Sequence, residues 1–252
     1  MRVIDLNCDL GESFGAWVMG DDEAMLDVVS SANVACGFHG GDPATMLRTC
    51  RAARDRGVVI GAHVSYRDLA GFGRRYMDVA PSDLHADVVY QLSALAGTAA
   101  SVGAEVRYVK PHGALYNRIV GDEQQATAVA DAVASFPADL ALLGLANSAI
   151  ERACESRGVR FVREAFIDRA YLADGTLAPR SMAGAVLGVD DGIAERAVRM
   201  ASDGVVETIE GQTIELDAAS LCVHGDSRDA VAMAIVVREA LHESGIGIEA
   251  FA

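Results

Sequence analysis

Short apolar runs in this chain repeatedly end in a histidine, lysine or carboxylate beside a glycine. The pattern recurs in VIDLNCDLGE, ANVACGFHGGD, VVIGAHVSY, VRYVKPHGALYN, VRFVREAFIDR and LCVHGDSRD. Asp9 and Glu12 place two carboxylates three residues apart, a pairing suited to cation binding or to general-base work, although helix capping is the plain alternative. His39 lies among Gly37, Gly40 and Gly41, more glycines than a simple turn needs, and glycine lets backbone approach a ligand closely. His63 ends a wholly apolar run. Lys110-Pro111-His112-Gly113 is the sharpest signal, because a lysine at a strand end is costly to bury unless it meets an anion. Glu164 and His224 repeat the theme further along, and these eight residues (Asp9, Glu12, His39, His63, Lys110, His112, Glu164, His224) form the candidate catalytic set. Asn7, Arg74, Arg75, Tyr116, Asn117, Arg169 and Asp226 are candidates for holding substrate or phosphate; guanidinium forks suit carboxylate and phosphate. For Arg74 and Arg75 the competing reading is a solvated basic loop, for Asp168-Arg169 a structural ion pair, and for Asp226 a helix cap.

Each apolar run reads as a buried strand, and in a parallel barrel the strand ends converge on one face, where active sites of such barrels are built. The strands are expected over 2–8, 31–36, 58–63, 105–109, 140–143, 160–165 and 220–223. Helices are expected at 44–55, 82–102, 123–135, 148–157, 192–202 and 228–244. Asp42-Pro43 starts the first of these and Gly57 stops it, while Ser82 is expected to cap the second. Strand–helix alternation with seven strands predicts one α/β domain over 1–252, a closed or nearly closed seven-stranded parallel β/α barrel. Two long loops, 66–81 and 167–185, are candidate lids or substrate grips, and a hairpin is expected near 205–215.

Bulk composition narrows the function. Of the 252 residues 51% are hydrophobic but only 6% aromatic, which suits small and aliphatic side chains packing helices on a parallel sheet. A net charge of −15 argues against nucleic acid or an anionic membrane surface as partner. No apolar run approaches the length of a membrane span, and the N-terminus enters a strand without a signal-peptide pattern. Five cysteines without a CxxC pair fit a reducing, cytoplasmic setting. Neither Ser65 nor Ser227 sits in a GxSxG elbow, which argues against a serine hydrolase. No HxxxH or HxH spacing supports a structural zinc; a catalytic metal on Asp9 and the histidines stays open.

Together the segments DLNCDLGESFG, NVACGFHGGDP, GAHVSYRDLAGFGRR, VKPHGALYN, REAFIDRAYLADGTLAPR and CVHGD resemble the LamB/YcsF family, described as the A component of the bacterial 5-oxoprolinase. They run in order along nearly the whole chain. Two departures, Gly41 where the family often has alanine and Val64 where it often has proline, adjoin the candidate site. The resemblance implies a barrel of the glycoside hydrolase/deacetylase type. It also implies ATP-dependent opening of 5-oxoproline to L-glutamate, with ATP–Mg2+ as co-substrate and the 5-oxoprolinase subunits B and C as partners. No P-loop is present, so nucleotide binding would be unconventional or shared with a partner. The rivals are a stand-alone divalent-metal-dependent amidase or deacetylase, and a carrier component that binds an oxoproline-like ligand without turning it over. A polysaccharide deacetylase is disfavoured by the few aromatic residues available to stack on sugar rings.

Overall fold

The computed structural model of the chain describes residues 2–226 and 229–252. Seven parallel strands carry the architecture: β1 (Arg2–Leu10), β2 (Ser31–Ala35), β3 (Val59–Val64), β4 (Val106–Pro111), β5 (Ala141–Leu145), β6 (Phe161–Phe166) and, after the hairpin β7 (Val205–Glu207)/β8 (Thr213–Glu215), β9 (Ser220–Val223). Each pairs with the next, and β9 returns to pair with β1 (Asn7 opposite Cys222), so the sheet closes into the expected barrel. A short β10 (Ile246–Ile248) adds to the first residues of β1. The helices are α1 (Asp22–Leu26), α2 (Pro43–Arg56), α3 (Pro81–Ser101), α4 (Gly113–Arg118), α5 (Glu123–Ser135), α6 (Ala149–Arg157), α7 (Ile193–Asp203) and α8 (Ala230–Glu243).

Local chemistry explains most boundaries. Asp42 caps α2 by accepting from the Thr45 amide at 2.8 Å, Pro43 occupies the first turn, and Gly57 ends the helix in the left-handed region. The cap expected at Ser82 is not made: α3 begins at Pro81, whose fixed φ starts the helix one residue earlier, and Ala80 stands at the cap without a side-chain bond. Of the helix expected from 228, Arg228 lies outside the described residues, as does Ser227. Two helices, α1 and α4, have no counterpart among the expected ones; each is six residues or fewer, too short to show a clear apolar period.

Strand alternation sorts the side chains. From β1, Ile4, Leu6, Cys8 and Leu10 point outward into the helix-covered core, while Asp5, Asn7 and Asp9 point into the barrel. The lower interior is a plug of Tyr108, Ala141, Leu143 and Val162, covered by Phe251 and Ala252. Gly61 makes room for this plug: a Cβ there would lie 2.1 Å from the Tyr108 ring. Above the plug the interior turns polar. All five cysteines are buried and unpaired. No helix among the described residues is long and apolar enough to cross a membrane.

Candidate active site

Asp9 and Lys110, expected just past their strands, lie inside β1 and β4. Asp9, His63, Lys110 and Glu164 belong to the last turns of β1, β3, β4 and β6, and each is buried. His63 and Lys110 are register neighbours, so their side chains rise together through the upper barrel. Lys110 Nζ is the centre of this layer. It lies 3.1 Å from Glu164 Oε2, 3.2 Å from Asp9 Oδ1, 3.0 Å from Asn7 Oδ1 and 3.0 Å from Cys222 Sγ. Burial works against the lysine charge, but Asp9 and Glu164 outweigh it and hold the pKa well above the usual lysine value. Burial likewise opposes the Asp9 charge, yet His63 and Lys110 hold its carboxyl well below the usual range. The pair is therefore ionised at neutral pH although both partners are withdrawn from water.

A hydrogen-bonded scaffold fixes this ion pair from beneath. Asn33 donates to Asn7 at 2.7 Å and to Asp9 at 2.8 Å, Tyr108 donates to Asn33 at 2.6 Å, and Asn7 donates to Ser220 at 2.7 Å. Asn33 and Tyr108 escaped the sequence reading; the available signal was a polar side chain at an inward position of an otherwise apolar strand.

Beside the ion pair stands a histidine cluster. Glu12 Oε1 lies 3.0 Å from His39 Nε2, 3.5 Å from His112 Nδ1 and 4.0 Å from His63 Nε2. One ligand-type atom from each of Glu12, His39, His63 and His112 falls within 4.8 Å of the other three, and all four residues are buried, so the group forms a candidate metal-binding site. Burial, reinforced by Asp9, raises the Glu12 pKa well above the ordinary value; burial and the neighbouring imidazoles lower those of His39 and His112. The loop 66–80 is folded over the cluster rather than swung away from it. Its Phe72 carbonyl accepts from His112 Nε2 at 2.9 Å, and Gly73 (φ +64°) leaves the space a Cβ would take, 2.7 Å from the His112 ring.

A cavity of about 620 Å³ opens above both groups. Asp9, His63, Lys110, His112 and His224 reach its surface, while Glu12, His39 and Glu164 lie behind that lining. Arg74, Arg169 and Arg180 add positive charge at its walls, in a chain whose overall charge is strongly negative. Tyr116, Phe166 and Asn117 also line the cavity.

The remaining candidates divide clearly. Arg74 turns to the cavity, lies over the Phe72 ring at 4.9 Å and pairs with Asp226 at 2.5 Å, so Asp226 acts on Arg74 rather than as a helix cap. Arg75, its neighbour, is turned outward: its Nε donates to Asp68 at 2.9 Å, and it is absent from the cavity wall. Arg169 does not pair with Asp168 but donates to the carbonyls of Ala185 (3.2 Å) and Ala178 (2.6 Å), tying the loop 167–188 into shape; burial and nearby Arg180 lower its pKa to about 10. Asp168 instead grips His224 Nδ1 at 2.9 Å through both carboxylate oxygens, a partnership the sequence did not disclose because 56 positions separate them. Asn117 donates to the Gly113 carbonyl at 3.0 Å, and Asn7 lies under Lys110 rather than at the wall.

The arrangement can stabilise an anion at the cavity floor, move protons through imidazoles and hold a carboxylate or phosphate at the arginine wall. The LamB/YcsF family model matches residues 4–252. A protein of Agrobacterium fabrum named as the A component of a 5-oxoprolinase is 55% identical over 252 residues, covering 100% of this chain and 99% of its own length. The crystal structure of a lactam utilization protein from Thermus thermophilus is 44% identical, with a TM-score of 0.94 over 100% of both chains. A family 4 carbohydrate esterase from Streptomyces lividans, 12% identical with a TM-score of 0.53 over 100% of this chain and 93% of its own, shares the barrel fold alone. On the family match and these whole-length relatives, the chain belongs to the LamB/YcsF family.

Proposed function

We propose that this chain is the lactam-handling component of an ATP-dependent 5-oxoprolinase, opening 5-oxoproline to L-glutamate together with partner subunits B and C in the cytoplasm. The observation that carries the reading is the cavity itself: an ionised Lys110–Asp9 pair at its floor, imidazoles along one side, and Arg74, Arg169 and Arg180 at its walls. That wall suits the carboxylate of 5-oxoproline or a transferring phosphoryl group. The relatives named as 5-oxoprolinase components support the same assignment, and the word subunit in their names supports partners.

A five-membered lactam is a poor electrophile. Transfer of the ATP γ-phosphoryl group to the lactam oxygen makes the ring carbon susceptible to water, after which the C–N bond breaks and phosphate departs. In this reading Lys110 and the arginines neutralise developing negative charge. Asp9, which reaches the cavity, orients water or the magnesium that accompanies ATP, and His224 carries protons. ATP itself binds unconventionally or on a partner, since the chain has no P-loop. The buried Glu12–histidine cluster favours a second reading, a metal-dependent amidase acting alone.

The test is glutamate release from 5-oxoproline by the complete set of subunits with ATP–Mg2+, comparing this chain with its Lys110→Ala variant. ATP-dependent release that the variant abolishes supports the proposal. Near-normal release by the variant sinks it.

A further inference from the structure

We infer that Glu12, His63 and His112 form a binding site for one first-row divalent transition-metal ion, with His39 holding Glu12 in place rather than joining as a ligand. The outer ring nitrogens set the tautomers. His63 Nδ1 lies 2.9 Å from the Lys110 carbonyl, and His112 Nε2 lies 2.9 Å from the Phe72 carbonyl. A carbonyl oxygen only accepts, so each of these nitrogens carries a hydrogen. The other two nitrogens, His63 Nε2 and His112 Nδ1, then point at each other 2.9 Å apart, with either one shared proton or a metal ion between them. Glu12 Oε1 and Asp9 Oδ2 crowd the same point, at 3.5 Å from His112 Nδ1 and 3.3 Å from His63 Nε2. Two ring nitrogens and two carboxylate oxygens thus converge on one buried point, an arrangement that a divalent cation satisfies more fully than one shared proton. A histidine that donates its outer N–H to a backbone carbonyl is also the usual posture of a metal ligand, because that bond fixes the tautomer and aims the free nitrogen.

Distances and ring planes then choose the ligands. A tetrahedral ion at about 2.0–2.1 Å from nitrogen sets its ligands about 3.4 Å apart. The separations of 2.9, 3.5 and 4.0 Å among His63, His112 and Glu12 bracket that figure. The rings of His63 and His112 stand at 89°, so their lone pairs can meet at one ion. His39 differs. Its ring is stacked on His112 at 3.8 Å with 7° between the planes. Imidazole lone pairs lie in the ring plane, and two nearly parallel planes share no common ion. His39 Nε2 is instead 3.0 Å from Glu12 Oε1, where its N–H orients the carboxylate. Asp9 Oδ2, 3.3 Å from His63 Nε2, is a further oxygen within reach, while its Oδ1 serves Lys110.

Two imidazoles and a carboxylate suit zinc, cobalt, manganese or iron(II) and are poorly matched to magnesium, which prefers oxygen ligands and keeps its water. The metal is thus a different ion from any magnesium arriving with nucleotide. The site stands whether or not the ring opening uses ATP.

The test is direct binding. Chelator-stripped full-length chain is titrated with Co2+ and Zn2+, with stoichiometry read by elemental analysis and ligation by the visible bands of Co2+. The expected result is one ion per chain, nitrogen-ligated and undisturbed by excess Mg2+. His63→Ala and His112→Ala should abolish that uptake. His39→Ala should keep the stoichiometry and weaken binding by roughly 10–100-fold. Absence of stoichiometric uptake by the wild-type chain overturns the proposal, as does uptake that survives both ligand substitutions. A nitrogen-detected NMR spectrum of stripped and metal-exposed protein showing the same proton held between His63 and His112 overturns it as well.

Discussion

The two flanks of the cavity are built differently. The flank made by β1 to β4 takes its chemistry from residues in the last turns of strands or directly after them: Asp9, Glu12, His39, His63, Lys110 and His112 are all buried and braced by one another or by backbone carbonyls. The flank beyond β6 and β9 draws on the long loop 167–188 and on the single pair Asp168–His224. There Arg169 is held by the carbonyls of Ala178 and Ala185. Rigid strands can fix reacting groups closely, whereas loops adapt to the body of a ligand. The first flank is therefore assigned the bond-breaking chemistry and the second recognition.

Substitutions should separate the flanks. The largest effect is expected at Lys110→Ala, which leaves Asp9 and Glu164 buried without their cation: a loss of about 3–5 kcal/mol in stability by chemical denaturation, with turnover reduced below detection. A stability change under about 1 kcal/mol would show that the ion pair is not the pillar of the first flank. Next come His63→Ala and His112→Ala, where turnover should fall by about 10²–10⁴ with the barrel intact by circular dichroism. An unchanged kcat in both would remove the imidazoles from the chemistry.

On the second flank, Asp168→Asn should cost roughly 1.5–3 kcal/mol, the worth of hydrogen bonds to a charged group. The effect should depend on pH in a set direction. Burial opposes the Asp168 charge, but His224 outweighs it and the folded pKa is lowered. A lowered carboxyl pKa contributes stability above the unfolded value near pH 4, and that stability is lost as pH falls through the folded value. The gap between wild type and variant should then be full near neutrality and close in acid; a gap that widens in acid contradicts the pairing. The smallest contrast is between adjacent residues. Arg74→Ala should raise KM several-fold, whereas Arg75→Ala, turned outward onto Asp68, should leave kinetics and the unfolding midpoint unchanged.

The barrel was legible because its strands are nearly pure apolar runs and its helices carry local stops, as at Asp42, Pro43 and Gly57. The first flank was legible for the same reason: a polar side chain at the end of such a run stands out. What stayed hidden was pairing at a distance. Asp168 reads as a partner for Arg169, its neighbour in sequence, until the fold brings His224 to it from β9. Arg74 and Arg75 are indistinguishable in sequence, and only the turn of the loop sends one inward. Asn33 and Tyr108 were masked by the apolar strands that carry them, although they hold Asp9 and Asn7 in register beneath Lys110.

The central claim is that lactam opening needs both this cavity and an energy-supplying partner. Its most direct test is glutamate formation from 5-oxoproline by this chain alone and with subunits B and C, each with and without ATP–Mg2+. Release confined to the complete set with ATP is the predicted result. Metal-dependent amide hydrolysis by this chain alone, with no ATP-dependent release in any mixture, would contradict it.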